Sequence, residues 1–336
     1  MLTVYDHLPD GLLDLGPEQL HEVLPGPALI HLPGRRAAPL FVSVMLHGNE
    51  ATGWLAAREV LRKYAPSGLP RALSLFIGNV AAARQGLRVL DGQPDYNRIW
   101  PGGAASDGPE HAMARQVVDA MRARGVFASI DIHNNTGLNP HYGCVNRLDS
   151  AWLHLATLFS RTVVYFTQPR GVQSAAFAEL CPAVTLECGK PGTPQGVEHA
   201  ASYMDACLHL SEFPEHPVHH QDIDLFHTIA TVKVPDDVRF GFADAGCDIE
   251  FAANLDHLNF RELESGAEIG RIHGDRDICL QALDEEGRDM GRQVIDCRDG
   301  HIRLRRPLMP AMLTRDTRVI RQDCLCYLME RMPLPI

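Results

Sequence analysis

PLFVSVMLHGNEATGWLAAREVLRKY, residues 39–64, contains the patterns of a strand, a polar turn and a helix in succession. Its first eight residues, Pro39 to Leu46, form an apolar, β-rich run that predicts a buried strand. Ala51 to Tyr64 then follows a helical pattern, which Pro66 and Gly68 end. A buried strand leading through a polar HGNE turn into a helix is typical of an α/β protein.

Strand-like and helix-like patterns alternate over the first two-thirds of the chain. Further apolar runs predict strands, and amphipathic stretches predict helices. The predicted strands are Ala72–Ile77, Val126–Ile132, Thr162–Phe166 and Ala183–Leu186, and the predicted helices are Pro109–Arg124 and Val197–Leu210. This alternation implies an α/β layer architecture with a mainly parallel sheet, in which ligands bind beyond the carboxyl ends of the strands.

The alternation stops at SEFPEHPVHHQD, between Ser211 and Asp222, where we place a domain boundary. One domain is expected over residues 1–215 and a second over 223–336. The three histidines of this segment, His216, His219 and His220, could bind a metal ion. A solvated linker is the favoured interpretation, because the prolines leave no regular element to fix three rings around one ion.

The second domain is predicted to be small and mostly β. Its sequence holds short β-rich runs separated by Gly and Asp turns, which is typical of such domains. The runs are Phe226–Val234, Val238–Phe242, Ile278–Ala282 and Thr317–Tyr327.

Composition and charge exclude several classes of protein. The 336 residues carry a formal net charge of −11, so nucleic-acid binding has no electrostatic support. Residues 1–14 have no Lys or Arg ahead of an apolar core, and no run of 18 apolar residues occurs, so neither a signal peptide nor a membrane span is expected. The nine cysteines include no CxxC pair, and we expect reduced thiols in a cytoplasmic protein.

His47 and Glu50 follow the first apolar strand directly and are three positions apart. At a strand end, two such side chains can converge on one ion, and zinc accepts both imidazole nitrogen and carboxylate oxygen. The spacing alone does not decide, because His209 and Glu212 repeat it at the end of a predicted helix, where a solvated pair is favoured.

Asp131 and His133 end another predicted strand, and alternate strand positions place both side chains on one side of the sheet. Considered alone, His133 is interpreted as a buried histidine paired with Asp131. Combined with His47 and Glu50 at a neighbouring strand end, His133 becomes the candidate third metal ligand.

Glu187 follows the apolar run that ends at Leu186 and precedes Gly189. A carboxylate at the end of a buried strand is costly unless it is paired or used, so we expect a functional role, with a structural salt bridge as the alternative.

The stretch RQGLRVLDGQPDYNRIW, residues 84–100, is predicted to be a loop beside the sheet. It holds Arg88, Asp95, Asn97 and Arg98. Arginine offers a donor fork that matches carboxylates, so this loop is a candidate binding segment. The alternative is a surface loop with solvated arginines.

Together these motifs resemble the succinylglutamate desuccinylase and aspartoacylase family, which is related to the zinc carboxypeptidases. The resemblance spans roughly residues 38 to 215. It rests on HGNE (47–50), GNVAAARQGLRVL (78–90), DYNR (95–98), DIH (131–133) and TLECG (185–189), in that order. It implies a zinc-carboxypeptidase-like three-layer sandwich with a mainly parallel mixed sheet, followed by the β-rich domain.

The resemblance also implies a role for each residue. The metal ligands for one Zn²⁺ per chain would be His47, Glu50 and His133, with Asp95 orienting His47. Glu187 would be the general base and Arg88 would face the scissile carbonyl group. The substrate carboxylate would be held by Asn97 and Arg98.

One position departs from the family pattern. Acyl-aspartate hydrolases carry an arginine about ten residues before the catalytic glutamate, whereas Phe177 stands near that place and Arg170 lies further upstream. The departure argues against N-acetylaspartate and succinylglutamate as substrates.

The expected function is hydrolysis of an amide bond in an N-acyl amino acid or a similar small molecule that carries a carboxylate. A metallocarboxypeptidase that cuts peptides is the closest alternative. A non-catalytic zinc-binding protein and a metal-free structural protein are the others. We expect no nucleic-acid or membrane partner, and homo-oligomerisation is left open.

Overall fold

The structure is a computed structural model that describes residues 1–104, 107–243, 246–274 and 278–334. These residues form two compact units. The first comprises Met1–Asn134 and His141–Asp224, and the second comprises Asn135–Pro140 and Leu225–Leu334.

The first unit is an α/β layer structure. Its strands are β1 (Thr3–Tyr5), β2 (Ala28–Leu32), β3 (Gly34–Val44), β4 (Leu69–Ile77), β5 (Ala128–His133), β6 (Tyr142–Val145), β7 (Thr162–Tyr165) and β8 (Ala183–Glu187). Its helices are α1 (Thr52–Tyr64), α2 (Val80–Ala83), α3 (Pro109–Ala123), α4 (Ser150–Thr157), α5 (Gln173–Ala178) and α6 (Pro194–His209). Short 3₁₀ turns span Leu12–Asp14 and Pro17–Glu22.

The strands of this unit form a mixed sheet in the order β1-β2-β4-β3-β5-β8-β6-β7. The pairs β2/β4 and β6/β8 are antiparallel, and β3, β5 and β8 run parallel to one another. Because neighbouring parallel strands end at the same edge of a sheet, the ends of β3, β5 and β8 lie together. The predicted α/β fold with a mainly parallel mixed sheet is confirmed.

Both faces of the sheet are covered, which makes three layers. On one face Phe41 of β3 stacks on Phe177 of α5, with ring centroids 4.3 Å apart. On the other face α1 lies close to the strands at Gly53, where an added Cβ would come within 2.9 Å of Val44 Cγ1 and 3.0 Å of Ile132 Cβ. A helix can approach the sheet this closely only because glycine stands at that position.

The second unit is mostly β, as predicted. Its strands are β9 (Asp224–Lys233), β10 (Phe240–Phe242), β11 (Ile249–Phe251), β12 (Glu268–Ile272), β13 (Gln281–Leu283), β14 (Ile295–Arg298), β15 (His301–Leu304), β16 (Met309–Ala311) and β17 (Cys326–Arg331). A 3₁₀ turn spans Leu255–Leu258, and the short helices are α7 (Gly291–Val294) and α8 (Thr317–Gln322).

These strands pair in two groups. One group follows the order β10-β11-β12-β15-β14, and the other joins β9 to β13 and to β17, which pairs with β16. Aliphatic side chains such as Val232, Ile249, Val294 and Leu325 form a continuous core for the unit.

The segment Asn135–Pro140 belongs to the second unit by its contacts. Asn139 accepts a hydrogen bond from the backbone N–H of Met312 at 3.0 Å. Gly137 lies so close to Leu313 that an added Cβ would be 1.9 Å from its carbonyl oxygen. This segment is therefore held by contacts within the second unit.

One predicted strand run is partly wrong. Thr317–Tyr327 was predicted to be β-rich, but its first half forms α8. Asp316 caps this helix, since its side chain accepts hydrogen bonds from the backbone N–H groups of Arg318 and Val319. A carboxylate at the N-cap stabilises a helix by about 1 kcal/mol, which favours the helical start of this run.

The segment at which the domain boundary was predicted has no regular secondary structure. Residues 211–222 contain neither helix nor strand, and His216, His219 and His220 are exposed. Among the described residues, these histidines do not belong to any group that could hold a metal ion.

The cysteines differ from the expectation that all are reduced. Cys279, just before β13, and Cys297, on β14, form a disulfide bond with a Cα–Cα distance of 5.4 Å, which lies within the range such bonds require. Among the described residues, the other cysteines are not joined in disulfide bonds. Among the described residues, no helix is both long and apolar enough to cross a membrane.

Candidate metal centre

The end of β3 turns sharply into the HGNE segment. Met45 adopts a left-handed backbone conformation with φ of 59°, which is uncommon for a residue with a side chain. The backbone N–H of Asn79 donates to the Met45 carbonyl at 2.6 Å, and that of Glu50 donates to the His47 carbonyl at 3.1 Å. These bonds hold the turn that presents His47 and Glu50 at the carboxyl end of the strand.

Gly48 allows this turn to lie against the segment that follows β4. An added Cβ would be 2.2 Å from the backbone nitrogen of Ala83, so no other residue fits without a backbone shift. The Gly48 N–H also donates to the carbonyl of Arg88 at 3.1 Å. The glycine therefore joins the HGNE turn to the loop that carries Arg88 and Asp95.

Two imidazoles and one carboxylate meet at this edge of the sheet. Glu50 lies between the rings: its Oε1 is 2.8 Å from His47 Nδ1, and its Oε2 is 2.8 Å from His133 Nδ1. The ring centroids of His47 and His133 are 5.1 Å apart. All three residues are buried, and one ligand atom from each lies within 4.8 Å of the others.

The other nitrogen of each ring faces a second carboxylate. His47 Nε2 is 3.0 Å from Asp95 Oδ1, and His133 Nε2 is 2.8 Å from Asp131 Oδ2. A carboxylate acceptor favours a proton on Nε2, which leaves the Nδ1 lone pair available to a metal ion. Both Nδ1 atoms point towards the Glu50 carboxylate. The potential ligand atoms of the three residues therefore converge on one place, where a single metal ion could bind them all.

The carboxylates control the charge state of the rings. Burial and the Arg88 charge lower the pKa of His47, but Glu50 and Asp95 outweigh both and raise it above its usual value. Burial likewise lowers the pKa of His133, whereas Asp131 and Glu50 raise it well above the usual range. The surrounding carboxylates thus stabilise positive charge at the positions of His47 and His133.

The carboxyl groups of Glu50 and Asp95 respond in the opposite sense. Burial raises the pKa of Glu50, but the charges of His47 and His133 hold it well below the usual range. Burial also raises the pKa of Asp95, but His47 and Arg88 hold it well below the usual range. Both groups therefore remain anionic.

The charge balance of the centre fits a divalent cation. Its charged groups are the carboxylates of Glu50, Asp95, Asp131 and Glu187 and the guanidinium groups of Arg88 and Arg98. A metal ion binds imidazoles in their neutral form, and with both rings neutral these groups leave a formal charge of −2. Because uncompensated buried charge is costly, a +2 ion among two imidazole nitrogens and a carboxylate oxygen suits this donor set.

Glu187 is the last residue of β8 and is the Cα partner of His133 on β5. Partner residues on parallel strands project to the same side of the sheet, so Glu187 and His133 share a face. Burial, assisted by the nearby charge of Glu187, raises the pKa of the Cys144 thiol well above its usual value. The carboxylate at the end of β8 thus lies beside the centre and is largely buried.

Arg88 contacts the carboxylates of Asp95 and Glu50. Its Nη2 is 3.2 Å from Asp95 Oδ2, and its Nη1 is 3.6 Å from Glu50 Oε1. The guanidinium group therefore lies beside the candidate metal ligands and neutralises part of their charge.

Asn97 has a defined amide orientation. Its backbone N–H donates to Asp95 Oδ1 at 2.7 Å, and its side-chain Oδ1 accepts from the Gln173 N–H at 3.0 Å. Its Nδ2 is consequently turned towards His133, 3.4 Å from Nε2 of the ring. Arg98 donates to the Asn97 carbonyl at 2.8 Å, so the DYNR segment packs against the centre.

Sequence reasoning missed several polar residues that support the centre. Asn134 donates its backbone N–H to Glu50 Oε2 at 3.1 Å, and its side chain binds Thr52 N–H and the Gly189 carbonyl. Ser43 donates to Asp131, and Gln173 donates to Ser129. The position of Asn134 next to His133 was a usable signal, whereas lone polar residues in apolar runs gave none.

The position that departs from the family pattern lies in the core. Phe177 is fully buried and packs between Phe41 and Trp100, whose centroid is 6.0 Å away. Arg170 is exposed. An aromatic side chain thus occupies the helix position near which the family pattern has an arginine.

A family profile matches the first part of the chain. The succinylglutamate desuccinylase/aspartoacylase catalytic domain profile matches residues 37–210. No curated protein sequence matches the chain significantly.

Solved structures share the fold at low sequence identity. A succinylglutamate desuccinylase from Chromobacterium violaceum has a TM-score of 0.59 at 18% identity, covering 90% of this chain and 87% of its own. A succinylglutamate desuccinylase/aspartoacylase from Rhodobacter sphaeroides has a TM-score of 0.58 at 15% identity, covering 90% and 88%. Murine aminoacylase 3 has a TM-score of 0.55 at 15% identity, covering 89% and 96%.

The profile spans more than half of the chain and includes His47, Glu50, His133 and Glu187. The chain belongs to the succinylglutamate desuccinylase/aspartoacylase family of acyl-amino-acid hydrolases.

Proposed function

We propose that this protein is a zinc-dependent hydrolase that cleaves the amide bond of an N-acyl amino acid or a similar small substrate with a carboxylate. The observation that carries the proposal is the buried convergence of His47, Glu50 and His133 beside Glu187. Residues 1–215 would form the catalytic domain and 223–336 a β-rich C-terminal domain. A cytoplasmic location is part of the proposal.

The metal ligands would be His47 Nδ1, one oxygen of Glu50 and His133 Nδ1. A site with three protein ligands leaves a coordination position for water or substrate, as catalytic zinc sites do. When bound, zinc supplies Lewis-acid chemistry: it polarises a carbonyl oxygen and lowers the pKa of water. Asp95 and Asp131 would hold the rings in the tautomer that presents Nδ1.

Glu187 would act as the general base. Its carboxylate takes a proton from water as the water oxygen attacks the amide carbonyl carbon, and it then passes this proton to the leaving nitrogen. The support for this role is its place opposite His133 at the ends of β5 and β8. The largely buried position strengthens electrostatic interactions with the reacting atoms.

Three residues of the loop would hold the substrate. Arg88, already beside Glu50, would donate to the carbonyl oxygen as negative charge develops on it. Asn97 would donate from Nδ2, because its Oδ1 is bound to the Gln173 N–H. Arg98 would supply the guanidinium group for the substrate carboxylate.

The buried Phe177 supports the view that the substrate differs from N-acetylaspartate and succinylglutamate. Arg98 and Asn97 would serve the terminal carboxylate of a peptide equally well, so a carboxypeptidase activity is the alternative to test. In both cases the proposed ligand of the site is a small molecule that carries a carboxylate.

The test is a substrate screen with the purified, zinc-loaded protein. N-acetyl and N-succinyl amino acids, their analogues without the carboxylate, and short peptides are compared by the amine released. Each assay is repeated after chelation and again after Zn²⁺ is restored.

The proposal expects metal-dependent release from N-acyl amino acids and little from the analogues without a carboxylate. Cleavage of peptides alone would favour the carboxypeptidase. Stoichiometric zinc without turnover of any amide would favour a non-catalytic zinc-binding protein.

A further inference from the structure

A buried hydrogen-bond chain runs from Ser43 on β3 to the candidate metal ligand His133. Asp131 lies between them: its Oδ1 accepts from the Ser43 hydroxyl, and its Oδ2 is 2.8 Å from His133 Nε2. Ser43 and Asp131 are both fully buried. We infer that Ser43 is a positioning residue for His133 and acts through Asp131, an inference that rests on the proposed metal site.

The strand register fixes this chain of contacts. Ser43 and Asp131 are Cα partners in the parallel pairing of β3 and β5, so their side chains leave the sheet on the same face. His133 lies two residues further along β5 and shares that face. Groups on paired strands are held more precisely than groups on loops, so the hydroxyl has a fixed place relative to the carboxylate.

The Asp131 carboxylate needs both contacts. One hydrogen bond leaves a carboxylate free to rotate about its side-chain torsion, whereas a bond at each oxygen fixes its plane. The plane of Asp131 determines the direction in which it accepts from His133 Nε2, and hence where His133 Nδ1 points. Removing Ser43 would also leave a buried carboxylate oxygen without this donor, which is costly.

Ser43 differs from the other buried serines of the sheet. Ser74 on β4 is also buried, but its hydroxyl contacts His31 Nδ1 at 2.8 Å and not Asp131. Ser74→Ala therefore removes a buried hydroxyl from the same sheet but leaves the hydrogen bonds between Ser43, Asp131 and His133 in place. It is the matched control for Ser43→Ala.

The test measures the dissociation constant for Zn²⁺ by chelator competition, without any need for turnover. Ser43→Ala is expected to weaken zinc binding about tenfold, the size expected for a hydrogen bond to a charged group. Asp131→Asn is expected to weaken it about 10- to 100-fold. Ser43→Ala is expected to add no further loss in the Asp131→Asn background, because its effect passes through that carboxylate.

A second readout reports geometry. The visible spectrum of the Co²⁺-loaded protein is expected to change in Ser43→Ala and to stay as in the parent in Ser74→Ala. Ser43→Cys, of similar size with a weak donor, is expected to lie between the parent and Ser43→Ala, and it carries the test with Asp131→Asn should Ser43→Ala fail to fold.

Parent-like zinc affinity in Ser43→Ala, an equal loss in Ser74→Ala, or a full additional loss in the Asp131→Asn background would overturn the role of Ser43 alone. A parent protein that does not bind Zn²⁺ would instead remove the proposed function, and the role of Ser43 with it.

Discussion

His133 and Glu187 are Cα partners at the ends of the parallel strands β5 and β8, so the candidate metal ligand and the candidate base leave the same face of the sheet side by side. Sheet pairing fixes this relationship, and no flexible loop is needed to bring the two groups together. His47 and Glu50 reach the same point from the end of β3, the neighbour of β5 on its other side.

Glu187→Gln should abolish most turnover while leaving the metal bound. The amide cannot accept a proton from water, and general-base catalysis contributes about 100- to 10,000-fold to rate. Steady-state kinetics and zinc analysis of the same sample check both parts. Glu179→Gln is the control: this exposed glutamate follows α5, and its substitution should change neither turnover nor zinc content. Near-parent activity in Glu187→Gln would assign the base role to another group.

His47→Ala should lose stoichiometric zinc and activity together, because one of three protein ligands is removed. The second His-x-x-Glu copy provides the control. His209 contacts the Tyr64 hydroxyl at 2.8 Å and does not belong to the metal group, so His209→Ala should retain zinc. Elemental analysis after gel filtration compares the two proteins. Full zinc in His47→Ala, or loss of zinc in His209→Ala, would contradict the assignment.

Gly48→Ala should weaken zinc binding and lower the stability of the fold by about 1–3 kcal/mol, the usual cost of overpacking. The new Cβ would meet the Ala83 nitrogen at 2.2 Å, so the turn that carries His47 and Glu50 must move. Gly16→Ala, where the nearest atom is Gln19 Oε1 at 3.4 Å, is the control. Chemical denaturation and zinc competition are the measurements. Identical behaviour of the two variants would show that the close approach at Gly48 is unimportant.

Phe177→Ala should lower the free energy of unfolding by about 3–5 kcal/mol, because it empties a fully buried site between Phe41 and Trp100. Leu158→Ala, at a side chain that is 48% exposed, should change it by less than about 0.5 kcal/mol. Denaturant titration of both variants checks this. A Phe177→Ala protein as stable as the parent, with altered substrate preference, would place Phe177 in the substrate pocket and not in the core.

Much of the first unit could be predicted from sequence because buried parallel strands are continuous apolar runs. The predicted runs at Pro39–Leu46, Ala72–Ile77 and Ala183–Leu186 correspond to β3, β4 and β8. The helix α5 gave no such pattern, since six residues are too few for helical periodicity to be measured. The strand β6, with the sequence YGCV, is interrupted by a glycine and is not a continuous apolar run.

The site was more predictable than the second unit. Polar residues that end apolar strands are conspicuous, and the order of the strands then brings them together. In the second unit, the run Thr317–Tyr327 predicts a strand, but its first half forms α8 behind the cap at Asp316. The pairing of Cys279 with Cys297 depends on a contact between segments 18 residues apart, which spacing cannot reveal.

The contacts of Ser43 and Gln173 were also beyond sequence reasoning. Each is a single polar residue, Ser43 within an apolar strand and Gln173 at the start of a short helix. Only the register of β3 against β5, and the packing of α5 on the sheet, show that they contact Asp131, Ser129 and Asn97.

The most direct test of the metal centre is a crystal structure of the zinc-loaded protein with diffraction data collected on both sides of the zinc absorption edge. We expect one anomalous peak per chain, about 2.0–2.2 Å from His47 Nδ1, a Glu50 oxygen and His133 Nδ1. A peak at another place, or none at this centre under saturating zinc, would contradict the assignment of these three residues.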